Sequence, residues 1–248
     1  MWKTDIKVLD TLIEKEGIAE YIRDYYAAKN GFLKILYEQD NFYIADDTTY
    51  QPWLSIMGEL PENISHKKIF DMLKDYIEDD RYIAVYTNIE EVSAFLNELT
   101  ILTYHEDFCN AIIQKVPEID KCGIRLAKID DLPYIEHTYR RSGHEQLLNR
   151  IRQKQMWIMS DENNIKGYAG IHKDCSLGFE YVDPASRRQN VASRMQLFIA
   201  KYMLNNGMLP YVMVSVGNDI AKNFQKKLGS EFAEKLFYFY AKGPYELE

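Results

Sequence analysis

Apolar residues recur at three- and four-residue steps through Ile6, Leu9, Ile13, Ile18, Tyr21, Ile22 and Tyr25, a spacing that predicts helix. Gly17 divides that helix in two and Gly31 fits its stop. Short apolar runs at 32–37, 42–45 and 53–57 read as strands. Ile69, Met72, Leu73 and Tyr76 line one face of a helix over 66–79 that Ser65 could cap. A buried strand at 82–87 and a helix at 90–99 follow. The polar stretch 117–123, opened by Pro117, predicts a boundary. Beyond it come a strand at 124–128, a helix from Asp130 or Asp131 to about Tyr139 with Pro133 in its first turn, and a helix at 145–152. Strands at 156–159, 165–172 and 177–182 are joined by the turns 161–164 and 173–176. After Asp183-Pro184 the period changes again. Val191, Met195, Phe198, Ile199, Tyr202 and Met203 form one helical face, closed by Gly207 and Pro210. A strand at 211–216, a helix ending at Gly229 and an aromatic strand at 236–241 complete the chain. The order after the boundary is βααβββαβαβ, and the expected fold class is α/β (α+β) in two domains, 1–118 and 119–248.

Composition narrows the function. No run approaches the ~18 apolar residues of a membrane helix, and the N-terminal residues Met1 to Asp5 lack a basic stretch followed by an apolar one. Cys109, Cys122 and Cys175 are widely spaced and form no CxxC pair, so neither a disulfide framework nor a metal site is indicated and a cytoplasmic protein with reduced thiols is expected. Residues 1–118 hold 11 Lys and Arg against 23 Asp and Glu, a balance of −12, and the remainder balances at +4. Nucleic-acid binding, which needs a continuous basic footprint, is not expected. An anionic ligand on the C-terminal half is compatible with the charge. His137, His144 and His172 have no spaced partner for a metal or a nucleophile–base arrangement.

The informative stretch runs from Phe179 to Ser193: a strand, a short turn, then a helix start. Unpaired amides and the helix dipole suit a phosphate there. Asn190 tolerates a left-handed backbone, Ala192 and Ser193 are small enough for close approach, and Arg187 and Arg188 add charge.

These residues resemble the pyrophosphate motif Arg/Gln-x-x-Gly-x-Gly/Ala of the GNAT superfamily of acyl-CoA N-acyltransferases. Here it reads Arg187-Arg188-Gln189-Asn190-Val191-Ala192, with Asn190 in place of the first glycine. A second family signature is met by Asn218, Ala221 and Gly229, while Gln225 stands where the family has tyrosine and Ser230 where it has phenylalanine. The resemblance covers about half the chain and implies a mixed, mostly antiparallel sheet flanked by helices. It also implies acetyl-CoA or another acyl-CoA as co-substrate. Main-chain groups of Tyr181 and Val182 would pair with the pantetheine arm, the amides of Gln189, Asn190, Val191, Ala192 and Ser193 would hold pyrophosphate, and Asn218 would contact the arm or its loop. The N-terminal half resembles, in architecture, the leading domain of two-domain acyltransferases of the glycine N-acyltransferase type. It is expected to cover one wall of the acceptor site, its acidity favouring a cationic acceptor.

The implied acceptor is a small-molecule or peptide amine. A lysine-like amine sits about 3.4 units above pH 7, so deprotonating it costs about 4.6 kcal/mol. Glu180, two residues before Val182, is the candidate base. Strand alternation puts Gly178, Glu180 and Val182 on one face and Phe179 and Tyr181 on the other. Gln225, at the position of the family's acid, can hydrogen-bond the sulfur or the thioester but cannot give up a proton; Tyr238 and Tyr240 are conceivable substitutes. Two other readings are open: an acyl-CoA-sensing module without turnover, and an aminoacyl-tRNA-dependent transferase, which the acidic N-terminal half disfavours.

Overall fold

The computed structural model describes residues 3–50, 53–77, 84–99, 102, 104–119, 123–161 and 164–240. The expected helix end at 78–79, the strand start at 82–83, the turn residues Glu162 and Asn163, Cys122 and Ala241 lie outside them. The chain divides into two compact units, one of residues 1–110, 213–222 and 232–248, the other of 111–212 and 223–231. The sequence division at 118 is contiguous, whereas these units are not.

In the first unit α1 (Lys3–Glu16) and α2 (Ile18–Lys29) precede β1 (Leu33–Gln39), β2 (Phe42–Asp47) and β3 (Trp53–Gly58). Then come α3 (His66–Ile77), β4 (Ala84–Thr87), α4 (Glu90–Leu96) and β5 (Tyr104–Ile112). Its sheet has the order β1-β2-β3-β4-β11-β5-β10, with β10 (Tyr211–Ser215) and β11 (Glu231–Tyr240) coming from the end of the chain. β1, β2 and β3 form an antiparallel meander, and β3 runs parallel to β4. Gly17 has φ 99 and Gly31 φ 77, so both helix breaks fall where only glycine is unstrained. A polar cluster is enclosed in this unit: Arg23, Asp24, Asp47, Ser55 and Tyr86 are all buried.

In the second unit β6 (Ile124–Leu126) leads through a 3-10 turn at Ile129–Asp131 into α5 (Leu132–Thr138) and α6 (His144–Arg152). β7 (Met156–Ser160), β8 (Ile165–Ile171) and β9 (Leu177–Val182) follow, then α7 (Val191–Asn205). The sheet β6-β7-β8-β9 is antiparallel throughout. α8 (Asp219–Lys227) lies between β10 and β11. The observed order β6-α5-α6-β7-β8-β9-α7-β10-α8-β11 is the predicted one, and the fold is mixed α/β with mostly antiparallel sheets flanked by helices. The core buries Leu147, Ile151, Ile158, Met195, Ile199 and Met203. Among the described residues no helix is long and apolar enough to cross a membrane.

Candidate active site

β8 and β9 do not pair uniformly. Tyr168 pairs with Tyr181 and Gly170 with Gly178, so Phe179 and Glu180 together oppose Ala169 alone. Phe179 makes this bulge by entering the left-handed region at φ 50. The bulge corrects the alternation read from sequence. Paired residues share a face, which puts Gly178 with Tyr181, while Val182 pairs with Gly167 on the opposite side. A Cβ on Gly167 would lie 3.1 Å from Val191, so this opposite side is the one α7 covers. Tyr168 and Tyr181 stack at 5.3 Å on the α5 side, where the Tyr168 hydroxyl meets Thr138 Oγ1 at 2.8 Å.

Glu180 sits at the bulge and is exposed to solvent. Its carboxylate accepts a hydrogen bond from Gln196 Nε2 at 3.4 Å, and no carboxylate–cation pair involves it among the described residues. The protein packed around its carboxyl thins the surrounding water and raises its pKa to about 7, where acid and base forms coexist near neutrality.

The turn after β9 is built by its own side chains. Asp183 Oδ1 accepts from the Ala185 amide at 2.9 Å, and Gln189 Nε2 donates to the Ala185 carbonyl at 3.0 Å. Arg188 and Asn190 then adopt φ 65 and φ 60, both left-handed. Asn190 caps α7 in that conformation without a side-chain bond, and its carbonyl accepts the first intrahelical hydrogen bond, from Arg194 at 3.0 Å. The amides of Val191, Ala192 and Ser193 precede that bond and point out of the helix end. They face a cavity of about 450 Å³ lined by Val182, Ser186, Arg187, Arg188, Asn190, Val191, Ala192, Ser193, Phe224 and Lys227. Three cations, Arg187, Arg188 and Lys227, meet a helix N-terminus there. That is the electrostatics a pyrophosphate requires.

The structure thus gathers Val182, Arg187, Arg188, Asn190, Val191, Ala192 and Ser193 at one cavity. Gln189 instead lines a second cavity with Tyr134, Asp161, Lys166 and Asp183. Asn218 is exposed, and its Oδ1 accepts from the Ala221 amide at 3.0 Å as the cap of α8. Gln225 is buried, donating to Gln196 Oε1 at 2.9 Å and accepting from Ser230 Oγ at 2.9 Å. Tyr238 lies in the core of the first unit, where it accepts a hydrogen bond from Arg23. Lys227 and Gln196 escaped the sequence reading. Lys227 is one of several lysines on α8, and Gln196 is a polar residue inside an apolar helix. Among the described residues no group of His, Cys, Asp and Glu could hold a metal ion.

The Asn190 backbone gives a direct test. Asn190→Val should cost about 1–2 kcal/mol, since a β-branched residue resists φ 60, whereas Asn190→Gly should be close to neutral. Urea unfolding of the two variants measures the difference.

The second unit thus sets a bulged strand against a helix whose N-terminus opens on a cation-lined cavity. Residues 125–229 match the model of the Acetyltransferase (GNAT) family. A Drosophila protein of known structure superposes with a TM-score of 0.68 at 12% identity, covering 97% of each chain. A GNAT-family acetyltransferase from Colwellia psychrerythraea gives 0.56 at 11%, covering 98% of each. A tandem GNAT protein from the clavulanic acid biosynthesis pathway gives 0.54 at 10%, covering 96% of this chain and 95% of its own. At such identities the likeness is one of fold, and it extends through the N-terminal half. No curated protein matches the sequence.

Proposed function

We propose that the protein transfers an acyl group from acetyl-CoA or a related acyl-CoA to an amine. The observation that carries this reading is the cation-lined cavity at the start of α7, bounded by Val182 two residues beyond Glu180. The α7 amides, Arg187, Arg188 and Lys227 would hold the pyrophosphate. Main-chain groups at Tyr181 and Val182, at the free edge of the four-stranded sheet, would pair with the pantetheine arm. Glu180 would take the proton of the attacking amine, directly or through water, as nitrogen bonds to the carbonyl carbon. The C–S bond then breaks, and the thiolate takes its proton from solvent. The acidic balance of residues 1–118 favours a cationic acceptor, a small molecule or a peptide. Neither nucleic acid nor membrane enters the scheme.

Calorimetric titration with acetyl-CoA tests the cofactor site. Arg187→Ala with Arg188→Ala should weaken binding more than tenfold, about 1.4 kcal/mol, and Lys227→Ala should weaken it several-fold. Absence of binding to the unaltered protein at high micromolar concentration would remove the reading. A second reading, acyl-CoA binding without turnover, draws on Gln225, a non-acidic amide where relatives carry tyrosine. Release of free CoA thiol across a panel of amines separates the two.

A further inference from the structure

Two glutamines are buried beside Glu180, each less than 5% exposed (Gln196 4%, Gln225 2%). Neither belongs to the cofactor cavity. Ser230 Oγ donates to Gln225 Oε1 at 2.9 Å, Gln225 Nε2 to Gln196 Oε1 at 2.9 Å, and Gln196 Nε2 to Glu180 Oε2 at 3.4 Å. The polarity of this file is set from one end. An ionised carboxylate only accepts, so Gln196 must turn its amide NH₂ toward Glu180. Its carbonyl then faces Gln225, which must answer with its own NH₂. The Gln225 carbonyl is left for the Ser230 hydroxyl, a group that can donate. A buried amide unable to find these partners would cost free energy, so the three side chains form a matched set.

We propose that Gln196 and Gln225 are positioning residues that, backed by Ser230, hold the Glu180 carboxylate in the orientation and ionised form needed to receive the amine proton. The proposal deepens the acyltransferase reading and rests on it for the role of Glu180. It gives Gln225 a different task from the proton donor that relatives place at that position: it orients the base from behind. Among the described residues Gln196 Nε2 is the group that donates a hydrogen bond to the carboxylate. β9 is flanked by β8 and covered by α7. The ionisable residues on these elements, besides Glu180, are Lys166, Tyr168, Tyr181, Arg194, Lys201 and Tyr202. A donor aimed at the carboxylate opposes the effect of burial.

The test reads Glu180 directly. In the full chain labelled with ¹³C-carboxyl glutamate, the Glu180 resonance is assigned by its loss in Glu180→Gln and titrated with pH. Gln196→Met and Gln225→Met keep side-chain volume while removing the amides. Each should raise the Glu180 midpoint by about one unit, a tenfold change in its ionisation constant. The double variant should match the singles, because both act through one hydrogen bond. Acyl transfer in these variants should lose about tenfold in kcat at pH 7 with the KM for acetyl-CoA unchanged. A purely structural role would lower Tm and leave the midpoint in place. A wild-type midpoint in folded Gln225→Met overturns the proposal. Should that variant not fold, a wild-type midpoint in Gln196→Met does the same. Wild-type turnover in Glu180→Gln would instead overturn the role of Glu180 as base, whatever the titration shows.

Discussion

Glu180→Gln is expected to lower kcat/KM for acyl transfer at pH 7 by about 10²–10⁴-fold, the range of a positioned general base, while acetyl-CoA affinity stays unchanged. The amide keeps the size of the side chain and its place on the bulge but cannot take a proton. The pH dependence supplies a signature. A base must be deprotonated to act, and burial puts the Glu180 carboxyl at about 7. Activity should therefore rise with pH through that value and lose this step above about 8. The rise caused by the acceptor's own deprotonation continues toward the amine pKa and is shared by both proteins. The step near 7 should disappear in Glu180→Gln. A pH–rate profile measured on both proteins with one amine decides the matter, and a step retained in the variant would assign it to another group.

The second large effect concerns stability. Arg23→Met should cost about 3–5 kcal/mol, the penalty for stranding a buried charge. Against a typical total of about 5–15 kcal/mol this is a large fraction. Arg23 donates to Asp47 Oδ2 at 2.9 and 3.3 Å and to the Tyr238 hydroxyl at 3.2 Å. Its guanidinium lies 4.2 Å from the Trp53 ring centroid and 4.8 Å from that of Tyr86. Asp47 is 1% exposed and would be left in the core without its cation. Arg23→Met combined with Asp47→Asn should recover part of the loss, which chemical denaturation would show. The neighbouring Asp24, hydrogen-bonded by Ser55 Oγ at 2.7 Å and the Tyr86 hydroxyl at 2.8 Å, has its pKa raised by burial to about 6. The folded protein then holds this proton more tightly than the unfolded chain between about pH 4 and 6. Stability contributed by Asp24 is present below that window and falls as pH rises through it. Asp24→Asn should flatten this part of the stability–pH curve.

Much of this was legible because it is local. The three- and four-residue period of Val191, Met195, Ile199 and Met203 specifies α7 whatever surrounds it. The run from Arg187 to Ala192 places two cations and small residues at the helix start within one turn of chain, so a candidate anion site could be named from residue types and spacing. The acidic residue on the strand before it was equally visible. The order of elements after residue 123 followed from alternation and turn residues in the same way.

Other features depend on residues far apart in the chain. β5 carries Tyr104, His105, Glu106 and Asp107 at its start, a polar opening that does not read as a strand. Its partners in the sheet, β10 and β11, come about a hundred residues later and supply the hydrogen bonds that make it one. The bulge at Phe179 and Glu180 has no glycine or asparagine to announce it. It exists because the register of β8 leaves Ala169 opposite two residues, and it decides which side of the sheet each β9 side chain faces. Lys227 reaches the phosphate cavity, and Gln225 reaches Gln196 across 29 residues, only when α8 and α7 are brought together. The sequence alone determined the periodic elements and the contiguous run of cations and small residues at the start of α7, because both are written within a few consecutive turns of chain. Strand register, the direction of Glu180 and the file of amides behind it were decided by tertiary packing, because a buried polar side chain takes its orientation from partners that only the fold supplies.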